Sequence, residues 1–217
     1  MTTAKCNSIP TQDITGVILS GGQGTRMGGL DKGLENFLGC ALVSHVLDRL
    51  SPQVGKVMIN ANRNLPLYQA LCEEVYPDPT AGHEGPLTGF WVGLKHAQTP
   101  FVLTVPCDCP MLPLNLATRL GQGLMQHHAQ LAMVRAPSAG KLKPQPVFAL
   151  MRTEVRESLK HFMDQGGRKI QSWSHTLNCV FVDFDQASDD PLAFSNLNTL
   201  EDLHSLERSR RTLHLQA

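Results

Sequence analysis

The run Ile14-Thr15-Gly16-Val17-Ile18-Leu19, passing at once into Ser20-Gly21-Gly22-Gln23-Gly24-Thr25-Arg26-Met27-Gly28-Gly29, constrains the fold more than any other part of the chain. A short, apolar, β-branched run that stops on glycine reads as a strand entering a loop. Leu42, Val43, Val46, Leu47 and Leu50 then recur at helical spacing, and Lys56 to Ala61 is again a short apolar run, so a strand, helix, strand unit is the simplest account. The alternation continues with a helix over Leu87 to His96, a buried strand over Phe101 to Val105 and a helix over Leu114 to His127. Gln130 to Arg135, Pro146 to Met151 and Val180 to Phe184 read as further strands, and Thr199 to Arg208 as a closing helix. Such alternation predicts a largely parallel sheet covered on both faces. Segments 136–145 and 164–176, rich in Gly, Lys, Pro and Gln, read as loops or a flexible edge.

At 217 residues the chain suits one substantial core, taken as a single domain over 14–217 behind a flexible tail over 1–13. Its 19 basic residues balance 19 acidic ones, which argues against a dedicated nucleic-acid surface. The first thirteen residues hold no apolar signal-peptide core and no later run reaches the length of a membrane span, so a cytoplasmic address is expected. Cysteines at 6, 40, 72, 107, 109 and 179 are too sparse for a disulfide scaffold and lack C-x-x-C pairing, which leaves reduced thiols.

Ligands of open α/β sheets bind beyond the carboxyl ends of the strands, so the sequence after each apolar run is where chemistry is sought. After the first strand, Gly21, Gly22 and Gly24 permit close backbone approach to anionic oxygens, and Arg26 and Lys32 add fixed positive charge. The segment matches neither a P-loop nor the dinucleotide G-x-G-x-x-G register, so a tight turn stands beside phosphate binding. Two cations among glycines favour phosphate. In Pro106-Cys107-Asp108-Cys109-Pro110 a carboxylate follows a buried strand, suited either to hold Mg²⁺ or to cap the helix near Leu114. Cys107 and Cys109 read as packing residues. Asp78-Pro79 and Gly85-Pro86-Leu87-Thr88-Gly89 form the third place, a rigid turn opening a helix, with Asn60 and Asn62 flanking a strand end as base readers or as turn residues.

Assembled, these residues resemble the molybdenum cofactor guanylyltransferases, whose nucleotide loop L-x-G-G-x-x-x-R-M-G-x-x-D-K stands here from Leu19 to Lys32. Further matches in family order are Asn60-Ala61-Asn62-Arg63, Asp78, the Gly85–Gly89 turn, the Pro-Cys-Asp-x-Pro segment at Asp108 and Asn196-Leu197-Asn198-Thr199. Ser20 and Thr88 stand where alanine is usual, and Leu200 replaces a common proline. The resemblance implies an α/β, three-layer, Rossmann-like nucleotidyltransferase fold with a mainly parallel, mixed sheet. It implies that Leu19, Ser20, Gly21, Gly22 and Lys32 contact GTP, that Asn60 and Asp78 hold the guanosine part, and that Asp108 binds Mg²⁺. Arg26 would lie against the triphosphate, making Arg26, Lys32 and Asp108 the catalytic set. The implied reaction passes GMP from GTP to the phosphate of molybdopterin, with other molybdenum cofactor biosynthesis proteins and molybdoenzymes as expected partners. Lys141, Lys143, Arg168 and Lys169 are candidate contacts for molybdopterin, against a reading as solvated surface charge. The rivals are a cytidylyltransferase or other nucleotidyltransferase acting on a phosphorylated metabolite, and a non-catalytic nucleotide-binding protein of cofactor delivery.

Overall fold

The computed structural model describes residues 8–21, 30–79, 85–138, 140–197 and 199–214. The chain enters through a one-turn 3-10 helix, Thr11–Asp13, into β1 (Ile14–Leu19). A hairpin of β2 (Asn36–Phe37) and β3 (Cys40–Ala41) leads into α1 (Leu42–Leu50), β4 (Lys56–Asn60), α2 (Leu65–Gln69) and β5 (Val75–Tyr76). Then come α3 (Pro86–His96), β6 (Phe101–Pro106), α4 (Leu116–Gln126), β7 (Leu131–Ser138) and β8 (Lys141–Arg152). The remaining elements are α5 (Arg156–Asp164), α6 (Ile170–Ser174), β9 (Cys179–Asp183) and α7 (Leu200–His214).

Seven strands form one sheet in the order β5-β4-β1-β6-β8-β7-β9. β1 runs parallel to both β4 and β6, β4 to β5, and β7 to β9, while β8 lies antiparallel to β6 and β7. The sheet is therefore mainly parallel and mixed, as expected. Because successive side chains of a strand face opposite ways, β1 serves two cores. Ile14 and Ile18 pack with Val43, Val46 and Leu50 of α1 and with Leu116, Leu120 and Leu124 of α4. Val17 packs on the opposite face with Leu87, Phe90 and Leu94 of α3, Leu159 of α5 and Trp173 of α6. A smaller cluster joins Phe37 and Leu42 to Leu197, Leu203 and Leu206, seating the last helix on the β2–β3 hairpin.

Helix α3 sits close to the sheet because Gly89 and Gly93 face it; a Cβ at Gly93 would meet Val17 Cγ2 at 2.8 Å. Three expectations change. Residues 136–138 and 141–145 form no loop but pair as the outer part of the β7–β8 hairpin, with Gly140 at φ 75°. Cross-strand backbone bonding carries this ladder through residues too polar to show strand periodicity. Segment 164–176 contains α6, fixed by the buried Ile170 and Trp173, and five residues are too few to display a helical repeat. Finally, Ile9 packs on the core against Gly121 of α4, so the fold begins before residue 14. No helix among the described residues is long and apolar enough to cross a membrane.

Candidate active site

The register places the site. Leu19 at the end of β1 lies opposite Asn60 on β4 and Pro106 on β6, and Asn60 lies opposite Tyr76 on β5. The residues beyond each strand end therefore open on one edge: Ser20-Gly21, Ala61-Asn62, Cys107-Asp108 and, beyond Tyr76, Asp78. This is the switch-side crevice in which open α/β sheets bind ligands.

At the β4–β5 end, Asp78 holds two asparagines. Its Oδ1 accepts from Asn60 Nδ2 at 2.8 Å and its Oδ2 from Asn62 Nδ2 at 2.7 Å, while the Asp78 amide donates to Asn62 Oδ1 at 2.8 Å. Asn60 also donates to the Tyr76 carbonyl, at 3.1 Å. Its Oδ1 is wedged between two glycines: a Cβ would stand 3.2 Å from it at Gly21 and 2.7 Å at Gly89. Backbone without side chain at both positions leaves the amide oxygen at the crevice floor. Leu19 closes the same corner, with Cδ2 only 2.6 Å from where a Gly89 Cβ would be.

At the β6 end, Asp108 does not cap the next helix: α4 begins at Leu116, behind Asn115, with no side-chain cap. The Asp108 carboxylate instead meets Lys32, Nζ to Oδ2 at 3.4 Å, with side chains 21% and 12% exposed. Burial raises the Asp108 pKa above its ordinary value, and the Lys32 ammonium acts against that shift without cancelling it. The flanking thiols are more deeply buried. Cys107 is pushed up to about 12 by desolvation, and Cys109 is raised well above 9.0 for the same reason, so neither offers a thiolate. Cys109 Sγ donates to Asn196 Oδ1 at 2.8 Å, and the Leu197 amide to the Asp108 carbonyl at 3.1 Å, which docks the Asn196-Leu197 segment beneath this turn.

No group of three or more His, Cys, Asp or Glu gathers among the described residues, so a cation here would rest on a single carboxylate, and Asp108 is the one that faces Lys32 beyond β6. A lone hard carboxylate, desolvated and only loosely satisfied, fits Mg²⁺, which completes its shell with phosphate oxygens and water; protonated thiols do not. One buried hydroxyl in the region, Thr88 Oγ1, lacks a hydrogen-bond partner among the described residues, while the Ser20 hydroxyl lies with the Tyr68 hydroxyl and the Cys107 thiol.

Of the expected site residues, Leu19, Ser20, Gly21, Lys32, Asn60, Asp78 and Asp108 gather at this edge. Gly22 and Arg26 lie outside the described residues. Lys141 and Lys143 are exposed at the start of β8. Arg168 folds back on its own segment, donating to the Met163 and Gly167 carbonyls at 3.0 and 2.9 Å, and its carbonyl lies 3.8 Å from where a Cβ at Gly85 would stand. Segment 164–169 thus borders the turn that opens α3. The contacts of Asp31, Asn64 and Tyr68 were not foreseen. Tyr68 is fully buried, and its hydroxyl donates to Asp31 Oδ1 at 2.6 Å. A Tyr in a short Leu-Pro-Leu-Tyr-Gln run carries no local signal of that partner.

Residues 16–178 match the family model described as the MobA-like NTP transferase domain. Among solved structures, molybdopterin-guanine dinucleotide biosynthesis protein A of Archaeoglobus fulgidus superposes with a TM-score of 0.73 at 21% identity, over 91% of this chain and 99% of that one. The 4-diphosphocytidyl-2C-methyl-D-erythritol synthase of Anaerococcus prevotii gives 0.74 at 11%, over 93% and 97%. The family match makes the chain a nucleotidyltransferase, and the two superpositions agree with that fold. Relatives named molybdenum cofactor guanylyltransferase are 52% identical in Albidiferax ferrireducens, over 93% of this chain and 99% of that protein, and 53% identical in an Acidovorax species, over 92% and 97%. The chain belongs to the molybdenum cofactor guanylyltransferase family.

Proposed function

We propose that the crevice binds GTP with Mg²⁺ and transfers its GMP unit to the phosphate of molybdopterin, releasing pyrophosphate and leaving the guanine dinucleotide form of the cofactor. The observation that carries this reading is the contact between Lys32 and Asp108, which joins the exit of the glycine-rich segment to the turn after β6. A cation and a metal-suited carboxylate on one crevice are what nucleotidyl transfer requires.

The nucleophile is a phosphate monoester, already anionic near neutral pH, so the protein need supply no strong base. Its task is alignment and the neutralisation of charge on the transferring and leaving phosphates. The Ser20 amide is bonded to the Asn60 carbonyl at 2.7 Å, so the amides beyond it would be the donors to the phosphates, with Lys32 and Arg26 adding charge. Asp108 would hold Mg²⁺, which when bound neutralises phosphate oxygens as a Lewis acid. Asp78 fixes Asn60 and Asn62, and a carboxylate that accepts two amides keeps lone pairs for a ribose hydroxyl. Arg168 and Lys169, beside the α3 turn, would be the contacts for an anionic second substrate, together with Lys141 and Lys143 at the start of β8.

The test is pyrophosphate release from GTP with molybdopterin supplied, CTP and ATP run in parallel, and the product identified by mass. Lys32→Ala should lower turnover by roughly a hundredfold or more, the scale set by deleting a preorganised donor to a developing charge. Near wild-type turnover in a folded Lys32→Ala protein refutes the role given to Lys32, and preference for CTP refutes the guanylyl assignment.

A further inference from the structure

The connection from β4 to α2 grips both sides of segment 22–29. On the entry side Asn62 Nδ2 donates to the Gly21 carbonyl at 3.3 Å. On the exit side Arg63 donates to the Leu30 carbonyl at 3.4 Å, Asn64 Nδ2 to Asp31 Oδ2 at 3.0 Å and Tyr68 Oη to Asp31 Oδ1 at 2.6 Å. Both oxygens of Asp31 are thus engaged by residues more than thirty positions away in sequence.

An Asp directly before a helical turn ordinarily caps it through its side chain. Here Asp31 precedes the one-turn 3-10 helix Lys32–Leu34 and makes no such cap; its carbonyl alone closes the turn, accepting from the Leu34 amide at 2.9 Å. The carboxylate is committed instead to the β4–α2 connection. That connection is shaped for the purpose. Asn64 adopts the left-handed conformation, φ 50° and ψ 32°, which Asn tolerates better than other non-glycine residues, and its carbonyl accepts from the Leu67 and Tyr68 amides that start α2. Tyr68 is then wholly buried, yet its hydroxyl reaches the crevice residue Asp31. Passage is open only because Gly33 has no side chain: a Cβ there would stand 2.5 Å from Tyr68 Oη. A short hydrogen bond to a carboxylate inside protein is strong and directional, so it sets where the next residue sits. The next residue is Lys32.

We propose that Tyr68 is a positioning residue for nucleotidyl transfer, its hydroxyl holding Asp31 and thereby aiming Lys32 at Asp108 and the substrate phosphates. It touches no substrate and acts through the turn. The inference rests on the function proposed above and assigns to the buried face of α2 a part in the chemistry.

The experiment uses the full chain and the variants Tyr68→Phe and Gly33→Ala. The first removes one oxygen; the second leaves the hydroxyl but puts a methyl in its path. Expected in both is a fall of about tenfold in kcat for pyrophosphate release, with the KM for GTP changed less than about threefold, as for an interaction realised mainly in the transition state. Amide exchange at Leu34 and Glu35, which close the Lys32 turn, should accelerate several-fold while that of Ile18 in β1 holds. Adding Tyr68→Phe to Asp31→Ala should cost nothing further. Unchanged exchange at Leu34 overturns the latch, and faster exchange with unchanged kcat overturns its role in positioning. A fully additive double variant shows that Tyr68 acts elsewhere and likewise overturns it. Should the unmodified protein release no pyrophosphate from GTP with molybdopterin, the proposed function fails first and the positioning role falls with it; the exchange data distinguish that outcome from a missing latch.

Discussion

Gly89 and Gly93, one turn apart on α3, separate a packing role from a site role. An alanine Cβ at Gly89 would stand 2.6 Å from Leu19 Cδ2 and 2.7 Å from Asn60 Oδ1; at Gly93 it would stand 2.8 Å from Val17 Cγ2 and 3.4 Å from Val102 Cγ1. Carbon atoms pack best at about 3.5–4.0 Å, so either change requires a retreat of roughly 1 Å. Overpacking of this kind costs about 1–3 kcal/mol, and the better helix propensity of alanine returns up to about 1 kcal/mol. The net loss of about 1–2 kcal/mol should lower Tm by about 2–8 °C in a chain of this size for both variants. Function should divide them. Gly89→Ala displaces Asn60, whose amide is tied to Asp78 and to the Tyr76 carbonyl, and should raise the KM for GTP by about tenfold, the factor that about 1.4 kcal/mol of lost binding produces. Gly93→Ala touches only apolar side chains of β1 and β6 and should leave KM within about twofold. Thermal melts and GTP titrations of turnover measure both, and equal KM values in the two variants would refute the placement of Asn60 in the nucleotide site.

Asp108→Asn should abolish turnover yet stabilise the resting fold at neutral pH. Burial raises the folded-state pKa of Asp108 above 3.8, so the folded protein binds that proton more tightly than the unfolded chain and loses stability as pH rises through the window between the two values. The Tm of the variant should therefore match that of the parent in acid, where Asp108 is protonated, and exceed it at about pH 7.5; a lower Tm at that pH contradicts the sign. Thr88→Val keeps the side-chain shape and removes a buried hydroxyl that lacks a partner among the described residues, so Tm should rise by about 2–4 °C per kcal/mol of relieved desolvation, with about 1 kcal/mol expected.

The sheet was legible because its strands are written in apolar, β-branched runs: Ile14–Leu19 lies in the structure with the boundaries read from sequence, and Phe101–Pro106 extends the expected strand by one residue. The two-residue strands β2, β3 and β5 and the five-residue helices carry too little sequence for a period to emerge. Both strands of the β7–β8 hairpin were read, but their outer half was not, since it gains from backbone pairing more than from burial. In the site, Asn60, Asp78 and Asp108 were found because each lies at or just beyond a strand end, and the register brings strand ends together. Tyr68 and Asp31 were invisible as a pair. Their bond spans 37 residues and depends on the absent side chain of Gly33, a relation that no local window contains.

Several costly features of the molecule lie where the fold can bear them. A desolvated carboxylate at Asp108, a hydroxyl at Thr88 without a partner among the described residues, and a left-handed Asn64 all lie within a few residues of the ends of β4 and β6 or at the start of α3. Those strands are buried on both faces by separate apolar clusters, which fix their ends. Strain and desolvation of this kind persist only when the surroundings over-determine the local geometry. A ligand that brings phosphates and a divalent cation to this edge would relieve the same costs, offering the carboxylate a counter-charge. Part of the binding free energy of GTP with Mg²⁺ should then come from that relief, which the Asp108→Asn variant has already forfeited. At equal concentrations of GTP and Mg²⁺ the parent should therefore show the larger rise in Tm, because the stabilisation a ligand confers grows with its affinity for the folded state. Equal shifts in the two proteins would show that the edge is not poised in this way.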